Sequence, residues 1–124
     1  HHAGIAFGKQ DDQKYQFSTA NPTAGYHFVF RPNGSMQLYT HSIGVTSGTS
    51  LNSVTNAVAV AGEWASFRID VTPTQITVTR TDASVGGTKT FTVTNNAHRG
   101  GYIHLSKHAA TSANIVHFKN VVVA

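Results

Sequence analysis

Alternation of apolar and polar residues, broken at short intervals by turn-forming residues, runs through this chain from end to end. A period of two sends successive side chains to opposite faces, which is the geometry of a strand with one face buried. No stretch carries the 3.6-residue apolar period of a helix, so the chain is expected to be all-β. The run at 26–31 sets Tyr26, Phe28 and Phe30 on one face and His27, Val29 and Arg31 on the other. Pro32-Asn33-Gly34-Ser35 joins it to a second alternating run at 36–41. Asn-Gly between two such runs predicts a hairpin, because both residues tolerate positive φ. That turn also accounts fully for the Asn33-Gly34-Ser35 glycosylation sequon.

Residues 3–8 are small and apolar, as expected of a central buried strand. Further strands are expected at 14–19, with Tyr15 and Phe17 on one face, and at 65–72, with Phe67, Ile69 and Val71 together. Others follow at 76–81, 88–94, 102–108 and 116–123. The polar stretch 42–56 reads as an irregular connection or a short strand with loops, after which Val58 and Val60 resume the alternation. About ten short strands at this spacing predict an antiparallel β-sandwich or jelly roll, with residues 1–124 as one domain. The leading His1-His2 pair, a tag remnant or native sequence, carries no functional weight.

Charged residues make up only 11% of the chain, and Thr, Ser, Asn, Gly and Val take their place. That balance suits strands and turns and is common in secreted bacterial modules, so a secreted, extracellular location is the expectation. With no cysteine, a disulfide framework, a thiolate zinc site and a cysteine nucleophile are all excluded. No apolar run approaches the roughly 20 residues of a membrane-spanning helix. No signal peptide is visible, so a targeting segment has been removed or lies upstream. The net charge is +4, yet the nine Lys and Arg residues are scattered singly from Lys9 to Lys119. Nucleic acid, which calls for a basic patch or stripe, is therefore not an expected partner.

Glycoside hydrolysis normally uses two carboxyl groups about 5 to 9 Å apart. The five carboxylates here, Asp11, Asp12, Glu63, Asp70 and Asp82, suggest no such pair. Asp70 shares a strand face with Arg68, either as a surface ion pair or as a polar pair in a sugar-binding groove. His104, Ser106 and His108 share another face, but two histidines four positions apart on a strand are about 13 Å distant, too far for one zinc ion. His104 with His117 on an adjacent strand leaves no third ligand in view. Sugar rings pack their C–H faces on flat aromatic rings while hydroxyls seek polar partners. Tyr26, Tyr39, Trp64 and Tyr102 are the rings that suit this, and the remaining phenylalanines suit a core. Tyr39 and His41 on one strand, with His27 and Arg31 on its neighbour, form the best candidate floor for a carbohydrate site.

The order of the pieces adds a resemblance. An Ala3-Gly4-Ile5-Ala6-Phe7 strand is followed by Tyr15-x-Phe17 and the aromatic strand Tyr26 to Phe30. Gly62-Glu63-Trp64-Ala65-Ser66-Phe67-Arg68-Ile69-Asp70-Val71 then leads into Ile76-Thr77-Val78, and the chain closes on Gly101-Tyr102-Ile103-His104-Leu105 and His117-Phe118-Lys119-Asn120-Val121-Val122-Val123. This pattern resembles the concanavalin A-like lectin/glucanase superfamily, in particular its laminin-G-like and keto-glycoside-hydrolase-like bacterial jelly rolls. The resemblance implies a concanavalin A-like jelly roll with Trp64 packed in the core or at a sheet edge. It also implies further strands ahead of residue 3, hence a fragment or C-terminal module of a larger secreted protein. A calcium ion held by loop carboxylates is a further implication, with Asp11 and Asp12 as its ligands here. The Glu-x-Asp-x-x-Glu strand of the superfamily's glucanases has no counterpart in this chain.

Together these readings lead to a non-catalytic carbohydrate-binding or accessory module of a secreted bacterial enzyme. Its expected partners are a polysaccharide or glycan and a neighbouring catalytic domain of the parent protein. One alternative is a glycoside hydrolase or lyase domain with part of its site missing. Another is a structural docking domain attached to a catalytic domain such as a glycerophosphodiester phosphodiesterase.

Overall fold

A computed structural model of the chain describes residues 2–15, 19–82, 86–108 and 115–124. Among them are eight strands and no helix: β1 (His2–Lys9), β2 (Gly25–Phe30), β3 (Ser35–His41), β4 (Thr49–Thr55), β5 (Phe67–Val71), β6 (Gln75–Arg80), β7 (Thr90–Thr94) and β8 (Tyr102–His108). All pairings are antiparallel, in a five-stranded sheet of order β4-β3-β2-β1-β8 and a three-stranded sheet of order β5-β6-β7. The chain thus makes a four-strand meander, crosses to a three-strand meander, and returns as β8 beside β1. The two sheets enclose one apolar core, an antiparallel β-sandwich.

Register explains why the core forms where it does. Ala3, Ile5 and Phe7 of β1 stand opposite Phe30, Phe28 and Tyr26 of β2, and Phe30 and Phe28 stand opposite Met36 and Leu38 of β3. A period of two therefore puts all of these on one face. Ile76, Val78, Phe91 and Val93 meet them from the smaller sheet. Phe67 of β5 closes the gap, with its ring centroid 5.3 Å from that of Phe28 and 4.9 Å from that of Phe30. Each such buried side chain contributes about 1.5–3 kcal/mol. On the solvent side of the smaller sheet, Thr77 pairs with Thr92 at 2.8 Å and Thr79 with Thr90 at 3.2 Å, hydroxyl ladders that suit an exposed β surface.

The β2–β3 hairpin turns where Asn-Gly requires it. Gly34 lies at φ 87°, its N–H donates to the Arg31 carbonyl at 2.9 Å, and the Arg31 N–H donates to the Ser35 carbonyl at 3.0 Å. β1 is central, bonded to β2 on one side and β8 on the other, as its apolar composition requires.

Two expected strands are not formed, and a third makes no pairing at its described residues. Residues 14 and 15 pair with no strand; Tyr15 instead buries its ring against the outer face of the larger sheet, and Phe17 lies outside the described residues. Val58 and Val60 sit in an exposed connection, where alternation has no partner strand to satisfy. Residues 115–124 run without sheet bonding: Asn120 adopts φ 53°, which interrupts the extended run, and Val122 is left 84% exposed. Trp64 is likewise half exposed, not a core residue.

Candidate functional site

The outer face of the five-stranded sheet is polar, and β1 makes it so by being small. Gly4 and Ala6 carry almost no side chain there, so large polar side chains from both neighbours reach over them. His27 of β2 approaches Ser106 of β8 across β1, with Nε2 and Oγ 3.0 Å apart. A Cβ on Gly4 would lie 2.7 Å from His27 Nε2 and 2.9 Å from Ser106 Oγ, so glycine is what opens the passage. His104 and His108 of β8 share this face, standing opposite Ala6 and His2.

Tyr15 then folds over the middle of the face. Its ring lies 4.3 Å from His27 and, edge-on, 4.4 Å from His41, and all three side chains are buried. Burial pushes His27 down to about 3, with His2, His41 and Arg31 adding repulsion. Burial also pushes His41 down to about 4, with His98 lowering it further, the Thr23 backbone acting the other way and Lys9 adding a smaller repulsion. Neither His41 ring nitrogen makes a hydrogen bond of ordinary geometry. His2 is held near 4 by burial and by Arg31, His108 and the N-terminus. This block is therefore uncharged at neutral pH.

Beside it, from just past the end of β2 across β3 to β4, lies a continuous polar ladder. Arg31 donates through Nη1 to Gln37 Oε1 at 2.9 Å and through Nη2 to the Tyr39 hydroxyl at 3.1 Å. The Tyr39 hydroxyl donates to Gln37 Oε1 at 2.7 Å, and Gln37 Nε2 donates to Ser50 Oγ at 2.9 Å. Arg31, Gln37 and Tyr39 are half-buried and Ser50 is exposed. A guanidinium, an amide and a phenol ring are thus locked to one another at the surface, with their outward edges available.

The opposite flank of the face is organised by a lysine. Lys9 is fully buried, and its ammonium donates to the carbonyls of Asp11 and Gln13 and lies 3.2 Å from His104 Nδ1. An ammonium donates only, so His104 Nδ1 accepts and the ring proton sits on Nε2. Burial lowers the Lys9 ammonium below its usual range, and Asp11 and Asp12 counteract this. Lys9 thus places a built-in positive charge against two carbonyls of the 11–13 loop. The Asp11 carboxylate accepts from the Gln13 N–H at 3.0 Å and from Gln13 Nε2 at 3.3 Å, and those bonds hold it below the usual carboxylate range. Asp12 faces an open depression of about 850 Å³ bounded by Tyr15, His104 and Ser106. Among the described residues no group of three or more His, Cys, Asp or Glu side chains gathers to hold a metal.

Of the residues expected to form a sugar site, Tyr39 and Arg31 are in direct contact, and His27 stands opposite Tyr39 on the neighbouring strand. His27 and His41 share their face but lie beneath Tyr15, 1% and 4% exposed, so their rings are shielded from solvent. Arg68 and Asp70 do not join them. Phe67 and Ile69 of β5 point into the core, so this pair projects from the outer surface of the other sheet, an exposed ion pair at 2.8 Å. His117 is not on a strand beside His104; the neighbour of β8 is β1. Gln37 and Ser50 were not anticipated, although Gln37 shares the period-two face of Tyr39 and His41 and was legible from that alone. Tyr15 and Lys9 had no such signal, because their contacts depend on how a loop folds back.

A second, smaller cleft of about 180 Å³ lies elsewhere, between the 57–60 connection and β6, and is lined by Glu63, Trp64, Arg80 and Asp82. Arg80 is buried, pairs with Asp82 at 3.0 Å and donates to the Ala57 carbonyl at 2.6 Å. Lys119 lies over the Trp64 ring, its ammonium 4.1 Å from the centroid. No family model matches the chain, and comparisons with curated proteins and with solved structures return no match.

Proposed function

We propose that this protein is a non-catalytic carbohydrate-binding module, a jelly roll of the concanavalin A-like kind serving a secreted bacterial enzyme, and that it holds glycan on the outer face of the five-stranded sheet. The observation that carries this reading is the Arg31–Gln37–Tyr39–Ser50 ladder. It sets a flat phenol ring, suited to a sugar C–H face, among donors and acceptors suited to hydroxyls. Because the three larger side chains already restrain one another, little rotamer freedom remains to be lost on binding. The neutral histidines beneath leave Arg31 as the charge of this zone, which favours a neutral or acidic glycan.

The carboxylates support binding over hydrolysis. Asp70 and Asp82 are each paired with an arginine, and Asp11 is engaged by Gln13. Asp12 and Glu63 lie on separate connections, so no two free carboxyl groups flank the ladder. A second reading, docking to a neighbouring catalytic domain, is favoured by the exposed Ile115 and the exposed run Val121-Val122-Val123.

The test is a glycan array and an insoluble-polysaccharide pull-down, run with calcium and with chelator. Tyr39→Ala should bind about tenfold more weakly than the parent, the order expected for losing one ring contact, while its thermal unfolding stays cooperative. Equal binding by the variant would remove the ladder from the site. Retention on no glycan at all would shift the function to docking.

A further inference from the structure

We infer that the Trp64 cleft is a binding site for a small organic ammonium group, and that Lys119 is a built-in competitor for its ring. This site lies apart from the ladder and stands independently of the glycan reading.

The argument begins with charge. The Arg80–Asp82 pair is internally neutral, its guanidinium also spent on the Ala57 carbonyl and placed 4.9 Å over the Phe30 ring. Glu63 is the cleft's remaining charge, and its carboxylate forms no ion pair among the described residues. Apart from Lys119, the cleft thus presents one negative charge beside an indole ring that is half exposed. An indole face attracts cations through its quadrupole, and tryptophan does so more strongly than any other side chain.

The chain already uses that attraction. The Lys119 ammonium sits 4.1 Å from the Trp64 centroid, yet among the described residues Lys119 makes no ion pair. A lysine on an exposed segment without sheet bonding thus rests its charge on the ring face. Size fits the same class. A cavity near 150 Å³ accommodates a benzene-sized ligand, so about 180 Å³ admits a trimethylammonium or alkylammonium head but not an oligosaccharide. Valine and alanine side chains at 57–60 offer methyl groups rather than hydrogen-bond partners, which suits a quaternary ammonium better than a hydroxylated ligand.

Trp64 is the single tryptophan of the chain, so its fluorescence reports this site alone. The experiment titrates the whole protein with choline and, separately, with its neutral isostere 3,3-dimethylbutan-1-ol, at constant ionic strength. It uses the parent, Lys119→Met and Glu63→Gln/Lys119→Met. Both positions are exposed, so the variants leave the core untouched. Choline should shift the emission saturably, at a concentration about two- to fivefold lower in Lys119→Met than in the parent, the range expected when one exposed cation–π competitor is removed. The isostere should bind more weakly by a similar factor, and Glu63→Gln should weaken choline again in the Lys119→Met background. No saturable response to choline in Lys119→Met would overturn the site. Equal responses to choline and the isostere would make it an apolar cleft without cation preference. Equal affinities in parent and Lys119→Met would overturn the role of Lys119 as competitor for the ring.

Discussion

Lowering the pH from 7.5 to 4.5 should unfasten Tyr15 from the outer face and destabilise the whole domain. His41 carries the argument: it is buried, neither ring nitrogen makes a hydrogen bond of ordinary geometry, and burial holds it near 4 against an ordinary value of 6.5. A base whose folded value lies below its unfolded value binds more protons when unfolded. Its stabilising contribution is therefore complete above pH 6.5 and is lost as the pH falls from 6.5 toward the folded value. Each unit of separation is worth about 1.4 kcal/mol, so protonating His41 costs the fold about 3 kcal/mol. His27, held near 3, loses a similar amount between pH 6.5 and 4.5. Together the two cost about 5 kcal/mol by pH 4.5, a large share of a typical domain stability of about 5–15 kcal/mol.

Asp11 and Asp82 are both held below the usual carboxylate range, so their contributions are lost only at lower pH. His2 and His98 add to the loss in the same direction, the latter lowered by burial and by Arg99. The assay is urea unfolding followed by far-UV circular dichroism at one-unit pH steps from 7.5 to 4.5, for the parent and for His41→Phe. Phenylalanine keeps an aromatic ring against Tyr15 while removing the titrating group. The parent should lose stability steadily below pH 6.5, and His41→Phe should lose about 1.4 kcal/mol less per pH unit over the same range. A parent stability that stays flat to pH 4.5, or the same slope in both proteins, would refute the reasoning.

Three further outcomes are expected. Lys9→Met strands the carbonyls of Asp11 and Gln13 and should cost about 1–3 kcal/mol, measured by chemical denaturation, while calcium should leave the parent's Tm unchanged; a Tm raised by calcium would restore the Asp11–Asp12 site. Gly4→Ala places a methyl group 2.7 Å from His27 Nε2 and 2.8 Å from the Phe28 carbonyl and should cost about 1–3 kcal/mol, whereas a fully stable variant would mean that the passage across β1 can widen freely. Asp70→Asn should change stability by less than about 1 kcal/mol and leave glycan retention intact, because its ion pair is exposed and lies on the other sheet; lost retention would move the site there.

Sequence pattern revealed the parts of this fold whose determinants are local. The faces of β2 and β3, the Asn33-Gly34 turn and the extent of β8 follow from alternation and turn chemistry, and the pairing of His27 with Tyr39 follows from the hairpin register. Alternation fails where an alternating segment finds no partner edge. Around residue 15 it is satisfied by one ring settling on the sheet, and near residue 120 a left-handed Asn breaks the run. The Arg68–Asp70 pair shows a second limit. Both residues were correctly placed on one strand face, but which sheet that strand joins depends on long-range pairing, and pairing put them on the far side of the sandwich from Tyr39.

β1 shows how a local reading can be right and still miss what a strand does. Its small residues mark it as central and buried, which it is. Smallness also has a consequence on the outer face that appears only once β2 and β8 are known to flank it. With no bulk at Gly4 or Ala6, His27 and Ser106 meet across the strand, and the room above them is taken by Tyr15. Larger side chains at those two positions would fill that space, and the histidine block could not form. The outer face would then lack the neutral floor beside which Arg31, Gln37 and Tyr39 assemble. The polar character of the proposed binding face is therefore owed in large part to two residues of the central strand that carry no polar side chain.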